Sequence, residues 1–260
     1  MKTAKIALSF DDGRIDNIEV IYRYLIPKGI PCTLFVATAY VDGSCSPEKA
    51  PTRRPAMSIE NVVALAKEPL VELGLHGDNH SNERSDIEMG RQKMLKWLSY
   101  PSSYRFGFAS PGTAYPVDKF VDSNDPLFTR DILYLAMGMR ISSLKKLRVF
   151  ARKAGRVLAF RSLFAFAYRE TIMDSCSDRV IYRVPIHART SFEQVKAIID
   201  IAVRRKEAVT LMFHSIDDKK DDTWTWDKRR FCKLIAYLLQ LRNQQKIEML
   251  TVRDLHQAIR

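Results

Sequence analysis

Lys5-Ile6-Ala7-Leu8-Ser9-Phe10-Asp11-Asp12-Gly13 is the stretch on which the reading of this chain turns. An apolar strand runs straight into two adjacent carboxylates, and a glycine then lets the chain turn. Neighbouring like charges cost free energy unless a cation or a reaction uses them. A strand end beside a turn is where α/β enzymes place such groups. Two later strands end in the same manner, one in His76-Gly77-Asp78-Asn79-His80 and one, Val209-Thr210-Leu211-Met212-Phe213, in His214.

Working outward, strands and helices alternate. Strands are expected at 5–9, 33–37, 70–75, 106–110, 180–185, 208–213 and 247–250. Helices are expected at 16–28, 59–67, 86–98, 192–205, 228–242 and 252–259, with Ser58 and Ser191 as N-caps. Repeated β-then-α units of this spacing argue a parallel sheet, open or closed into a barrel. A length of 260 residues suits one α/β domain. The simplest organisation is a single domain over 1–260 with an insertion at about 125–178.

A composition of 46% hydrophobic and 28% charged residues is globular, and no apolar run reaches the length of a membrane span. Met1-Lys2-Thr3-Ala4-Lys5 leads into a strand without an apolar signal-peptide core, so a cytoplasmic location is expected. Cys32, Cys45, Cys176 and Cys232 are scattered and form no CxxC pair. Neither a disulfide framework nor a thiolate zinc site is therefore expected.

The net charge of +12 is concentrated in one segment: residues 140–169 hold nine of the 42 basic residues and none of the 30 acidic ones. Within it, 144–158 has helical periodicity. Lys145, Lys146, Arg148, Arg152, Lys153 and Arg156 fall in one arc, with Leu144, Leu147, Phe150, Ala151, Ala154, Val157 and Leu158 opposite. An apolar run, Leu163-Phe164-Ala165-Phe166-Ala167-Tyr168, follows. One reading is a surface helix packed on the domain with its charges in water. The other is peripheral contact with an anionic membrane through 140–169. No nucleic-acid motif accompanies the charge, and no nucleic-acid partner is expected.

Asp11/Asp12, His76 and His214 all follow strands, and in a barrel such ends share the active-site face. His76 and His80 are four apart, so a helix or a tight turn there points both imidazoles to one side. Two histidines and a carboxylate are a common donor set for a catalytic zinc with open positions for water and substrate.

These residues resemble the motifs of the polysaccharide deacetylases, the NodB-homology or carbohydrate esterase 4 group. Ser9-Phe10-Asp11-Asp12-Gly13 is similar to the first motif and His76-Gly77-Asp78-Asn79-His80 to the second. Phe108-Ala109-Ser110-Pro111-Gly112 resembles a degraded third, and Leu211-Met212-Phe213-His214 the fifth. The resemblance covers about 1–115 and 180–260. It implies a distorted (β/α) barrel with fewer than eight complete units and metal-dependent removal of an N-acyl group, usually acetyl, from an amino sugar. It assigns Asp12, His76 and His80 to one divalent ion, zinc by this donor set. Asp11 becomes the general base and His214 the general acid. The backbone N–H of Gly112 matches the oxyanion donor by position. Met212, two residues before His214 on the same strand face, has two readings of equal weight: a wall for the acyl methyl, or plain core.

Two departures stand out. The third motif usually carries an arginine that holds the base; Ala109 stands there, leaving Arg105, Arg183 or Arg189 as the replacement. The fourth motif, an acid with a nearby tryptophan, is not recognisable. Of Trp224 and Trp226 after His214, one is expected to face substrate. His187 reads as a structural histidine, and Asp217, Asp218, Asp221 and Asp222 as a solvated loop. Two other functions fit the same residues: a barrel without its chemistry that docks on membranes or partners through 140–169, and a hydrolase of a small non-sugar amide.

Overall fold

A computed structural model of the chain describes residues 3–112, 130–140, 145–158, 160–175, 179–219 and 222–260. Seven parallel strands run in sequence order around a closed barrel. They are β1 (Ala4–Phe10), β2 (Cys32–Val36), β3 (Val71–Leu75), β4 (Phe106–Ala109), β5 (Ile132–Met137), β6 (Val180–Pro185) and β7 (Ala208–Phe213). β7 closes the ring by pairing with β1 from Lys5↔Ala208 to Phe10↔Phe213. β5 was not expected from the sequence; it lies inside the segment read as an insertion.

A further strand (β10 in chain order, Ile247–Leu250) distorts the barrel. It pairs with the lower part of β1, Ala4 to Ala7, while β2 pairs with β1 only at Ser9 and Phe10. Both neighbours use the same edge of β1, so this last strand wedges β1 and β2 apart at their N-terminal ends. The C-terminal helix α9 (Val252–Ile259) is tied down behind it, Val252 N–H donating to Thr33 Oγ at 2.8 Å.

Strand interiors are near-continuous apolar runs, as strands covered on both faces require. β2, β4 and β7 are buried at every position. The first helical segment is continuous over 16–28 but changes pitch. It begins as α1 (Asp16–Glu19), widens to a π-helix (Val20–Leu25) and tightens to a 3₁₀ turn (Ile26–Lys28) where Pro27 intervenes. After the short α2 (Thr38–Val41), two helices confirm their sequence reading: α3 (Ile59–Leu65), with a full capping box from Ser58, and α4 (Arg84–Leu98).

The basic segment forms α5 (Lys145–Leu158) and α6 (Arg161–Ala167). They pack on α7 (Phe192–Arg205), whose capping-box Gln194 donates to the Gly155 carbonyl at 2.6 Å. α5 is rotated relative to the expected amphipathic arrangement. Leu147 and Phe150, expected inward, are 51% and 66% exposed, whereas Arg148 and Ala151 are buried. Two features explain this. Gly155 lets α5 approach α6 so closely that a Cβ there would sit 3.0 Å from Phe164 N. Arg148 can enter because Glu170 neutralises it at 3.0 Å. Leu144 and the side chains of Lys145, Lys146, Arg156, Val157 and Leu158 lie outside the described residues, as do Cys176 and Asp221.

Candidate active site

The C-terminal strand ends converge on a cleft of about 360 Å³. Asp11 and Asp12 reach it from β1, His76 and His80 from the loop after β3, and Ser110 and Gly112 from after β4. Pro185 and His187 come from the end of β6, with Met212 and His214 from β7.

The loop after β3 is a turn rather than a helix, and its shape comes from one carboxylate. Asp86, in the first turn of α4, accepts from the backbone N–H groups of Asp78 (2.9 Å), Asn79 (2.8 Å) and Ser81 (3.1 Å). Gly77 permits this wrapping: its φ is 79°, and a Cβ there would lie 2.5 Å from Asp86 Oδ2. The result brings the His76 and His80 rings to 4.7 Å between centroids. Asp12 (φ 80°) and His80 (φ 57°) both occupy the left-handed region. Such strain in non-glycine residues persists where the surroundings over-determine it, commonly at functional sites. Asp86 carries no signal in the sequence, because its role depends on backbone N–H groups that meet it only in the folded loop.

Asp12, His76 and His80 form a group whose donor atoms all lie within 4.8 Å of one another. Asp12 Oδ1 is buried and accepts no hydrogen bond among the described residues, with Nε2 of His76 and of His80 each 3.5 Å away. Donors around a tetrahedral ion at about 2.1 Å are separated by roughly 3.4 Å, so the set fits such an ion. His76 Nδ1 lies 2.8 Å from the Ala109 carbonyl. A carbonyl only accepts, so Nδ1 carries the proton and Nε2 presents its lone pair to the site. The other Asp12 oxygen receives Arg14 Nε at 2.8 Å, and Arg14 also reaches Ser215 Oγ (3.0 Å) and Asp222 (2.8 Å). Arg14 was missed because its partner Asp222 is 208 residues away. Asp222 and Asp217 are thus not solvated loop acids: Asp222 holds Arg14 and the 222–225 turn, and Asp217 pairs with Arg54 at 3.1 Å.

Of Arg105, Arg183 and Arg189, Arg183 is the one that pairs with Asp11. It extends from β6, donates to Asp11 Oδ1 at 2.6 Å and lies over the Phe35 ring. Arg105 instead donates to the Ile132 carbonyl, and Arg189 is exposed. Ala109 sits in an apolar cluster with Phe35, Tyr134 and Ala136, so the arginine's usual place on β4 is filled by packing.

Burial alone would raise both carboxyls. At Asp11 this is outweighed by Arg183, His76 and His214, and at Asp12 by His214, His76 and Arg14; both are held below the usual carboxylate range. Burial lowers His76, but Asp11 and Asp12 reverse that and raise it. Burial, reinforced by the neighbouring His76, pushes His80 down to about 4. His214 also falls to about 4 through burial, and Asp12 and Asp11 only partly oppose it.

Trp224 lines the cleft, its ring 4.2 Å from His214 and 4.0 Å from His187 between centroids. His187 is therefore a cleft residue, against the sequence reading. Trp226 is corrected in the opposite sense. It is fully buried, donates through Nε1 to the Thr190 carbonyl at 2.7 Å and packs on Phe213, so it cannot meet a substrate. The short pairing of β8 (Ser215–Ile216) with β9 (Thr225–Trp226) turns it inward.

The polysaccharide deacetylase family model matches residues 1–120, a span holding Asp11, Asp12, His76, His80 and Gly112. That span is a little under half of the chain, and over it the chain is similar to the polysaccharide deacetylases. The search of curated proteins gives no match. Among solved structures, the chain is similar to the catalytic domain of a peptidoglycan N-acetylglucosamine deacetylase from Eubacterium rectale. Identity there is 14%, with 96% of this chain and 90% of that one covered and a TM-score of 0.46. It is also similar to the BpsB deacetylase domain from Bordetella bronchiseptica (14% identity, 52% and 64% covered, TM-score 0.41). A third is IcaB from Ammonifex degensii (19% identity, 50% and 58% covered, TM-score 0.37). The match thus spans less than two thirds of the last two structures.

Proposed function

We propose that this chain is a metal-dependent hydrolase that removes an N-acyl group, acetyl first among them, from an amino sugar in a polysaccharide, oligosaccharide or lipid-linked glycan. The observation that carries the reading is the unpartnered, buried Asp12 Oδ1 facing two imidazole Nε2 atoms, beside a second carboxylate locked by its own arginine. A barrel kept only for docking has no use for two buried carboxylates set apart in this way.

Asp12, His76 and His80 would hold a divalent cation, zinc by the donor set, which would polarise the carbonyl and acidify a water. Asp11, fixed by Arg183, takes the water proton. His214, across the cleft from Asp11, is the group placed to pass a proton to the leaving nitrogen, and solvent returns that proton to it between turnovers. The N–H of Gly112 donates to the carbonyl oxygen as negative charge develops there. Met212 walls the acyl methyl, and Trp224 offers the sugar an aromatic face.

The place of action we propose is the cytoplasmic surface of an anionic membrane. Leu147, Phe150, Phe160 and Phe166 are four of the seven large hydrophobics exposed among the described residues, and all four belong to the α5–α6 region. Lys153 and Arg161 are exposed with them, a pairing suited to acidic headgroups over acyl chains.

The test is acetate release from chitooligosaccharides and from nucleotide-linked and lipid-linked N-acetyl sugars, alongside elemental analysis. Wild type should bind one metal ion and release acetate; Asp11→Asn should keep the metal and lose turnover. A metal-loaded wild type inactive on the whole panel sinks the reading. Activity confined to simple acetamides moves it to the non-sugar amide hydrolase.

A further inference from the structure

α5 does more than pack beside the barrel. Its Arg152 lines the same cleft as Asp12 and His76, reaching it from the β5 side, where Nη1 lies 3.5 Å from Met139 Sδ. The other two arginines of the cleft are committed: Arg14 to Asp12 and Asp222, and Arg183 to Asp11. Arg152 pairs with no carboxylate among the described residues, and its Nε is buried without a hydrogen-bond partner. A guanidinium carries five N–H donors in a fork that matches carboxylate and phosphate oxygens. Leaving such donors unmatched beside a cleft is costly unless a ligand completes them.

The placement also fits a substrate. The metal-ligand set comes from the ends of β1 and β3, whereas Arg152 stands by Gly138 and Met139 after β5, across the mouth of the barrel. A sugar whose acylated nitrogen faces Asp12, His76 and His80 extends its remaining substituents toward Arg152. The two cleft carboxylates do not repel an anion at that distance side, because each already has its own arginine.

We infer that Arg152 forms an oxyanion subsite, and that the substrate is an N-acylated amino sugar carrying a carboxylate or phosphate in addition to its acyl group. This rests on the deacetylase reading above for the position of the sugar.

Amino-sugar products cannot turn over, so they isolate binding. Glucosamine, muramic acid and glucosamine 1-phosphate are titrated calorimetrically into the metal-replete protein and into Arg152→Gln and Arg152→Lys. The anionic sugar should bind about 10- to 100-fold tighter than glucosamine, the usual worth of a charge-assisted contact. The gap should shrink with salt, vanish in Arg152→Gln and survive in part in Arg152→Lys. Which anion binds tighter decides between carboxylate and phosphate. Equal binding of all three sugars overturns the inference. So does a gap that persists in Arg152→Gln, with an unchanged melting temperature showing the variant is folded. A gap that behaves as expected without acetate release from the N-acetylated counterparts sustains the subsite and removes the deacetylase reading.

Discussion

Replacing Arg183 by methionine tests how Asp11 is held. Asp11 and Arg183 are 3% and 1% exposed, with N and O 2.6 Å apart. At an effective dielectric of about 20 their attraction is on the order of 6 kcal/mol, most of it offset by the cost of burying both charges. Removing one partner leaves the other buried and uncompensated, which costs about 3–5 kcal/mol. Arg183→Met should therefore lose that much stability. Asp11→Asn should lose less, because the amide oxygen still accepts from the guanidinium. The double variant should be more stable than the summed losses by about 2 kcal/mol or more. Urea unfolding with chelator present reads these values without interference from metal binding. If the two losses simply add to within about 0.5 kcal/mol, the pair is not coupled and Arg183 does not hold Asp11.

Removing the carboxylate that shapes the histidine loop, in Asp86→Ala, should weaken metal binding by about 10- to 100-fold with His76 and His80 intact, as loss of a ligand-orienting group does; competition with a metal indicator measures it. His256 is buried, and burial, followed by the charges of Arg260, Arg179 and Arg105, pushes it down to about 4. Between pH 6.5 and 4 the unfolded chain takes up a proton that the folded one refuses, so stability falls as pH drops through that window, by up to about 3 kcal/mol. His256→Phe should lose correspondingly less between pH 7.5 and 4, read by urea unfolding; an unchanged slope would remove His256 from the acid sensitivity. Anionic vesicles should sediment the wild-type protein at low salt, and Phe150→Ser with Lys153→Glu should leave it in the supernatant; retention of that variant would place the contact elsewhere.

What the sequence made legible was local. Asp11, Asp12, His76, His80 and His214 stand directly after apolar runs, so strand, turn and donor can be read within a dozen residues of each other. The face α5 would bury was not legible. Periodicity located its two faces, but the side turned inward depends on Glu170 and on the closeness permitted by Gly155. Arg14 and Asp222 were invisible for the same reason, since their meeting exists only once the barrel closes. Trp224 and Trp226 differ by two positions and look alike in sequence. The β8–β9 pairing sends one into the core and leaves the other against His214. β5 was overlooked because Ile132–Met137 lies next to a segment whose charge drew it into the expected insertion.

The wedge strand at Ile247–Leu250 makes the order of synthesis matter. β1 leaves the ribosome long before its long-range partners, because β7 lies about 200 residues further along the chain and the wedge lies beyond β7. Until they emerge, β1 has only the two-residue contact with β2, and its edges stay open to pairing with other chains. Asp11 and Asp12 are thus made well before the strands that fix their position. A chain halted between residues 226 and 247 would hold every residue assigned to the cleft yet leave Ala4 to Ala7 unpaired on the edge that the wedge covers, so the last strand works as a seal against pairing with other chains.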